Sequence, residues 1–261
     1  MDATVYQHFR KEEAPFIDNV SEWMERANME YRPILTDFLD PRQQFIVEDI
    51  VGKHGIVHYF FNGGYGAAER RRGIIAPEYF TPEQDDFAVQ LFNIKYPQKF
   101  ATLRHSQILG TLVNSGLKRD AFGDIMTDGV NWQFFTEASL ADYVQNEITK
   151  VGKINVQLEP ADYTALITPK DAWAPESATV SSLRLDTLIS EVYHMSRQRA
   201  KGLIEGDKVK LNWETFAKPD FTVGLMDVVS VRGFGRIQIT ALAGQTKKGR
   251  IKLAVHVLRK Q

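Results

Sequence analysis

A chain of 261 residues, 43% hydrophobic and 25% charged, has room for one large domain or two to three small ones, and it contains no run of about 18 apolar residues that would span a membrane. The absence of cysteine excludes disulfides, thiolate zinc sites and cysteine nucleophiles. The net charge of −1 hides a division: residues 181–261 hold 15 Lys and Arg against 7 acidic residues, a net of +8, while residues 1–180 hold 17 bases and 26 acids, a net of −9. A compact basic segment attracts polyanions by releasing their counterions; the plainer alternative is a solvated basic face without a ligand. Met1 to Phe16 carries charges and lacks an apolar core, so no export signal is read. With the lack of cysteine, this fits a cytoplasmic protein.

In chain order, residues 1–80 read as an α/β module. Pro15 suits a first helical turn, and Phe16, Val20, Trp23 and Ala27 repeat at helical spacing. Asp40-Pro41 marks a second helix start, with Phe45, Ile46 and Ile50 on its apolar face and Gly52 and Gly55 at its end. Ile56 to Phe61 is β-rich and is closed by Asn62-Gly63-Gly64. Ala67 to Arg72 reads as a short basic helix, followed by a strand at Ile74-Ile75. The run Arg70-Arg71-Arg72 is either solvated or a phosphate contact.

Residues 82–160 show the order βαββαβ: a strand over Phe87–Ile94, a helix over His105–Val113 stopped near Gly116, and a hairpin pairing Phe122–Met126 with Val130–Phe135 through Asp128-Gly129. A helix over Ala138–Ile148, with Leu140, Val144 and Ile148 on one face, and a strand over Ile154–Leu158 follow. This is the ferredoxin-like split unit, a topology that hosts many functions and includes the RRM class of RNA binders. The aromatic stacking motif of that class does not match Val130 to Phe135, so Trp132 and Phe134 are assigned to core packing. Arg104, His105, Lys118 and Arg119 are a possible second RNA surface; simple capping of the helix end is the alternative. Pro160, Pro169 and Pro175 with small and polar neighbours mark residues 160–180 as a linker.

From Ser181 the pattern sharpens. Ser182 is placed to cap a helix with the stripe Leu185, Leu188, Ile189 and Val192, ended by His194 and Met195. Ser196 caps a second helix, Arg197–Ile204, with Ala200 and Leu203 inward and Gly206 at a left-handed C-cap. Strands are read at Val209–Asn212, at Val228–Val231 and through Ile237, Ile239 and Ala241; Pro219 breaks the loop between the first two. A basic hairpin turning at Gly249 follows, open to RNA or to a protein partner. A serine-capped helix start offers backbone N–H groups to a phosphate. Arg197, Arg199 and Lys201 beside it conflict with the helix dipole unless an anion is bound. Arg232 and Arg236 flank two glycines, which let backbone approach a ligand closely. The alternative is a helix-turn-helix with ordinary surface bases.

Arg184-Leu185-Asp186, Ser196-Arg197, Ala200, Ile204, Gly206, Val209, Asn212, Pro219, Asp227 and Val231 resemble the alpha-L RNA-binding domain of the ribosomal protein S-four type. The resemblance implies recognition of folded RNA by shape and phosphate, with Arg184, Ser196, Arg197, Arg199, Lys201, Lys208, Lys210 and Arg232 as the contacts. Met226 departs from it, standing where that domain usually has glycine. Over nearly the whole chain, Phe38-Leu39-Asp40-Pro41-Arg42, Gly63-Gly64-Tyr65, Ala68-Glu69-Arg70, Ile75-Ala76-Pro77, His105 with Leu109-Gly110, Gly116 to Arg119, Gly123-Asp124-Ile125, Val180 to Asp186 and Val231 to Arg236 look like the YlmH family. Ser106 departs from that family, where a basic residue commonly follows the histidine. The resemblance implies a bacterial, cytoplasmic, non-catalytic protein. Its partners would be ribosomal RNA and peptidyl-tRNA on the large ribosomal subunit, in ribosome rescue and quality control. It also implies a link to cell division, so quality-control and division proteins are further candidate partners.

Enzymatic readings are weaker. Arg184-Leu185-Asp186 resembles the catalytic tract of pseudouridine synthases, but Leu183 stands where those have glycine and the tract opens the RNA-binding helix. Gly63-Gly64-Tyr65-Gly66 lacks the Lys and Ser/Thr of a P-loop and reads as a turn. His54, His58 and His105 lack metal-ligand spacing. The expectation is an α+β protein of three parts, 1–80, 82–160 and 181–261, that binds RNA without catalytic residue, metal or cofactor. The alternatives are an RNA-modifying enzyme or a division-associated interaction protein.

Overall fold

Pro15 lies in the first turn of α1 (Ala14–Met29), where its missing N–H costs no bond. A computed structural model describes residues 9–169 and 173–259, with the side chains of Lys53 and His54 outside the description. Helix α1 buries Ile17, Val20, Met24 and Ala27. Phe16 and Trp23, expected on that stripe, pack edge to face at its rim, centroids 5.8 Å apart. Asp40 and Gln43 form a reciprocal cap for α2 (Pro41–His54): each side chain accepts the other's backbone N–H at 2.9 Å. Gly55, at φ +63°, ends the helix, and Gly52 lies inside it.

Strands β1 (Ile34–Leu39), β2 (His58–Asn62) and β3 (Arg71–Ala76) form an antiparallel sheet in the order β1-β3-β2. The basic helix expected over Ala67–Arg72 is not formed; Arg71 starts a strand and the residues before it are turns. Burial explains the difference. Arg70 and Arg72 are 3% and 6% exposed. Arg70 donates to the carbonyls of Phe38 (2.7 Å) and Phe122 (3.1 Å), and Arg72 to those of Thr36 (2.8 Å) and Ala88 (3.0 Å). These tertiary bonds outweigh the helix propensity of Ala-Ala-Glu-Arg. Arg70 and Arg72 are therefore neither solvated nor presented to a phosphate.

Next come β4 (Val89–Lys95), α3 (His105–Val113), β5 (Phe122–Thr127), β6 (Trp132–Glu137), α4 (Ala141–Glu147), the short pair β7 (Lys150–Val151) and β8 (Ile154–Asn155), and β9 (Gln157–Ala161). The four-stranded sheet is antiparallel in the order β5-β6-β4-β9. Trp132 and Phe134 are buried against Phe92, Ile108 and Leu112, so that face is core. The other face carries Leu91, Met126 and Phe135, which pack with Phe38 of β1. Tyr65 stacks on Phe135 at 5.6 Å, and a Cβ at Gly64 would lie 2.3 Å from that ring. The glycine-rich loop is therefore a packing turn. Asp124 holds it by accepting from Tyr65 Oη (2.8 Å), Glu69 N (2.7 Å) and Arg70 N (3.1 Å).

The chain divides into two units, 1–170 and 171–261. Part of the stretch expected as a linker over 160–180 is strand, at 160–161 and 174–180. Pro160 lies in β9 and Pro175 in β10 (Ala174–Val180). Both are edge strands, where proline's lost donor is tolerated. The second unit adds α5 (Leu185–Val192), α6 (Arg197–Glu205), β11 (Val209–Leu211), β12 (Glu214–Thr215), β13 (Val228–Val231), β14 (Gly235–Gln245) and β15 (Ile251–Arg259). Its sheet runs β10-β15-β14-β13-β11-β12. Helices α5 and α6 close over it through Leu188, Ile189, Ala200 and Ile204, against Val209, Val229, Ile237 and Val255. Two caps differ from expectation. Arg184, not Ser182, is the N-cap residue of α5, and Ser182 Oγ lies 3.4 Å from Thr187 Oγ1. Gly206 has φ −94°; Asp207 takes the left-handed conformation at φ +54°. Lys260 lies outside the described residues.

Candidate nucleic-acid interface

Serine at the start of α6 does what its hydroxyl allows: Ser196 Oγ accepts from Arg199 N at 3.2 Å. That leaves the dipole conflict of Arg197 and Arg199 in the first turn. Part of the answer is internal. Asp186, in the first turn of α5 and 4% exposed, accepts from Arg184 Nε and Nη2 at 3.1 and 3.0 Å, and from Arg197 Nη2 at 2.9 Å. Burial pushes its carboxyl pKa up, but the hydrogen bonds from Arg184 and Arg197 outweigh that and hold it down at about 2. Both guanidiniums stay open to solvent, Arg184 at 39% and Arg197 at 54% exposure. A buried anion thus fixes two cations in place while their outer edges remain available to phosphate.

The remaining expected contacts sit on neighbouring elements. Lys201 pairs with Glu205 at 3.6 Å, both exposed; such a pair contributes little and yields readily. Lys208 and Lys210 are exposed, Lys210 alternating with buried Val209 and Leu211. Arg232 is exposed, and its backbone N–H donates to Lys208 O at 2.8 Å, tying the end of β13 to the start of β11. Phe234 lies under Arg199, the guanidinium carbon 5.4 Å from the ring centroid, and 5.3 Å from the ring of Tyr193. Arg259 stands over Tyr193 at 5.7 Å, and Arg236 over Trp173 at 5.3 Å. Asp186, Phe234, Tyr193 and Trp173 were not anticipated as organisers of these cations. The tract Arg232-Gly233-Phe234-Gly235-Arg236 does not signal this: Phe234 receives Arg199 from α6 and Arg236 goes to Trp173, pairings that depend on tertiary packing.

Of the second group, Arg104 and His105 stand at the start of α3, while Lys118 and Arg119 follow its end. Arg104, His105 and Lys118 are exposed. Arg119 donates to the carbonyls of Phe122 (2.5 Å) and Gly123 (3.3 Å). Burial and the neighbouring Arg70 charge push its pKa down to about 10. Arg119 thus holds backbone. Among the described residues, no group of three His, Asp or Glu is placed to hold a metal ion, and no helix is long and apolar enough to cross a membrane.

Three family profiles match consecutive stretches: "YlmH, N-terminal" over residues 12–80, "Putative RNA-binding domain in YlmH" over 82–165, and "S4 domain" over 183–229. The ribosome-associated protein quality control protein P2 of Bacillus subtilis (strain 168) is 43% identical over 244 residues, covering 94% of this chain and 95% of that protein. The chain belongs to the YlmH family. The solved structure of the cell division protein ylmH from Streptococcus pneumoniae is similar at 35% identity and a TM-score of 0.55, covering 62% of this chain and 99% of that one. In this YlmH-family chain the S4 match contains Arg184, Ser196, Arg197, Arg199, Lys201, Lys208 and Lys210. It stops before Arg232, Phe234, Arg236 and Arg259.

Proposed function

We propose that this YlmH-family protein is a cytoplasmic, non-catalytic RNA-binding factor of ribosome rescue and quality control, acting on ribosomal RNA and peptidyl-tRNA of the large subunit. The observation that carries this reading is the S4-type pair α5–α6, in which Asp186 orients Arg184 and Arg197. Arg199, Lys201, Lys208, Lys210 and Arg232 complete the contact set on this reading. The naming of the Bacillus subtilis relative for ribosome-associated quality control supports the biological setting. The strand order β5-β6-β4-β9 with α3 and α4 as crossovers supports a ferredoxin-like middle domain over 82–160, between a module at 1–80 and the S4-type domain at 181–261. Asp186 is engaged by two guanidiniums, which favours a positioning role over catalysis in the Arg-Leu-Asp tract. A link to division rests on the name of the Streptococcus pneumoniae structure, and RNase-resistant co-purification with division proteins would support it.

The test is sedimentation of the full chain with large subunits carrying peptidyl-tRNA across a salt series. Arg197→Ala with Arg199→Ala is expected to weaken binding and to lower the slope of log K against log salt by about 1.8, the loss of two phosphate neutralisations. Unchanged affinity and slope would remove α6 from the interface.

A further inference from the structure

Among the described residues, no large apolar side chain is more exposed than Phe100, at 90%. It sits on an ordered turn between β4 and α3. The backbone N–H groups of Phe100 and Ala101 both donate to Pro97 O, at 2.9 and 3.1 Å. Tyr96 Oη donates to Val130 O at 2.8 Å and Gln98 Nε2 to Asn131 Oδ1 at 3.1 Å. The turn is thus pinned to the β5–β6 hairpin, and the ring stands in water with both faces open.

The surroundings are cationic and polar. Lys99, Arg104 and His105 are exposed, and no acidic residue occurs from Tyr96 to Gln107. The nearest carboxylate of the pinning hairpin, Asp128, is engaged by Val130 N, Asn131 N and Asn131 Nδ2 at 2.7–2.9 Å. Arg104 N donates to Gln107 Oε1 at 3.1 Å. Gln107 lines a groove of about 640 Å³ between α3 and β7, together with Thr111, Asn114, Thr149, Lys150 and one carboxylate, Glu147.

The geometry points to a single-stranded RNA site in the first unit, where an unpaired base stacks on Phe100 and the adjoining phosphates meet Lys99 and Arg104. Bases inside a duplex have both faces covered, so an open ring selects unpaired nucleotides. Val130 of the pinning hairpin is also exposed; Lys99 and Arg104, with the lack of acidic residues from Tyr96 to Gln107, favour RNA over a protein partner. The groove beside α3 offers amide and hydroxyl groups to a sugar or a base edge. This site shares no residue with the α5–α6 face and does not depend on it.

The experiment uses full-length protein and a single-stranded RNA carrying 2-aminopurine, whose fluorescence falls when the base stacks. Phe100→Ala is expected to weaken binding roughly 5- to 100-fold, the range for losing one stacked base, and to abolish the quenching. Phe100→Trp retains both, because any flat ring serves. Because Phe100 packs against nothing, the alanine variant keeps the wild-type unfolding midpoint. The same strand annealed into a duplex shows no quenching and no response to Phe100→Ala. Arg197→Ala with Arg199→Ala leaves the quenching intact, which separates this site from the S4-type face. Quenching and affinity unchanged in Phe100→Ala, or lost equally in Phe100→Trp, would overturn the inference.

Discussion

Left-handed backbone is seldom given to a side chain as long as methionine, yet Met226 holds φ +62°. The turn is fixed from both sides. Met226 N donates to Ile239 O at 2.8 Å, and the buried Asp227 accepts from Gly224 N at 2.7 Å and Asn212 Nδ2 at 2.9 Å. S4-type domains usually carry glycine here, and glycine meets no steric cost at this φ. Met226→Gly is therefore expected to stabilise by up to about 1 kcal/mol, the usual left-handed cost, less whatever its half-buried side chain contributes by packing. Met226→Val, β-branched in the same conformation, is expected to lower the unfolding midpoint. Thermal melts of the two variants decide it, and a drop of equal size in both would show that packing rather than backbone strain governs the position. At this scale the sequence was informative where a residue acts on its own backbone: Ser196 caps α6 as its hydroxyl predicts. It was silent on Asp186, because pairing with Arg197 depends on how α5 packs on α6, eleven residues apart.

Among the helices, α2 carries a cap with a pH-dependent cost. Asp40 is a good N-cap residue and bonds Gln43 N at 2.9 Å, but its carboxyl is buried. Burial raises its pKa to about 6, against the lowering effects of the Gln43 bond and the Arg70 charge. A folded-state pKa above the unfolded value of about 3.9 means that the folded chain binds this proton more tightly. The stabilisation is full below about pH 4 and is lost as pH rises through 6. In an Asp40→Asn variant the side-chain amide oxygen would still accept from Gln43 N, and there is no charge to bury. The urea midpoint of that variant is expected to vary less than the wild type's between pH 4 and 6, and to match or exceed it at pH 7. Parallel profiles for the two proteins would show that ionised Asp40 is adequately solvated by its partners. Elements with strong local signals were legible: α3 spans His105–Val113 as its periodicity predicts, and β13 spans Val228–Val231. Elements made by long-range pairing were not. Ile74-Ile75 of β3 is legible as strand, but its start at Arg71-Arg72 looks helical until Arg70 and Arg72 find their carbonyl partners, and β10, with Pro175 in it, exists because β15 is there to pair with it.

Over the whole molecule, the division of charge was readable from counting residues, but the count does not say which cations are free. In the first unit, Arg70, Arg72 and Arg119 are committed to backbone carbonyls. In the second, Arg232, Lys208 and Lys210 are exposed. Only charge that reaches a phosphate releases counterions, so two arginines of equal formal charge should behave in opposite ways. Arg70→Met removes donors from Phe38 O, Phe122 O and Asp120; Phe122 O keeps Arg119 Nη1, so the expected cost is about 1–3 kcal/mol of stability, mainly for Phe38 O. Where that variant remains folded, its RNA-binding salt slope should equal the wild type's. Arg232→Ala should change stability by no more than about 0.5 kcal/mol, as for exposed positions generally, and reduce the slope by about 0.9. Urea unfolding and salt-titrated RNA binding on both variants make a two-by-two comparison. If Arg232→Ala left the slope unchanged, Arg232 would leave the contact set; if Arg70→Met lowered it as much as Arg232→Ala does, RNA attraction would follow the total charge of the chain rather than the cations on the S4-type face. The α5–α6 surface would then lose its claim to be the contact.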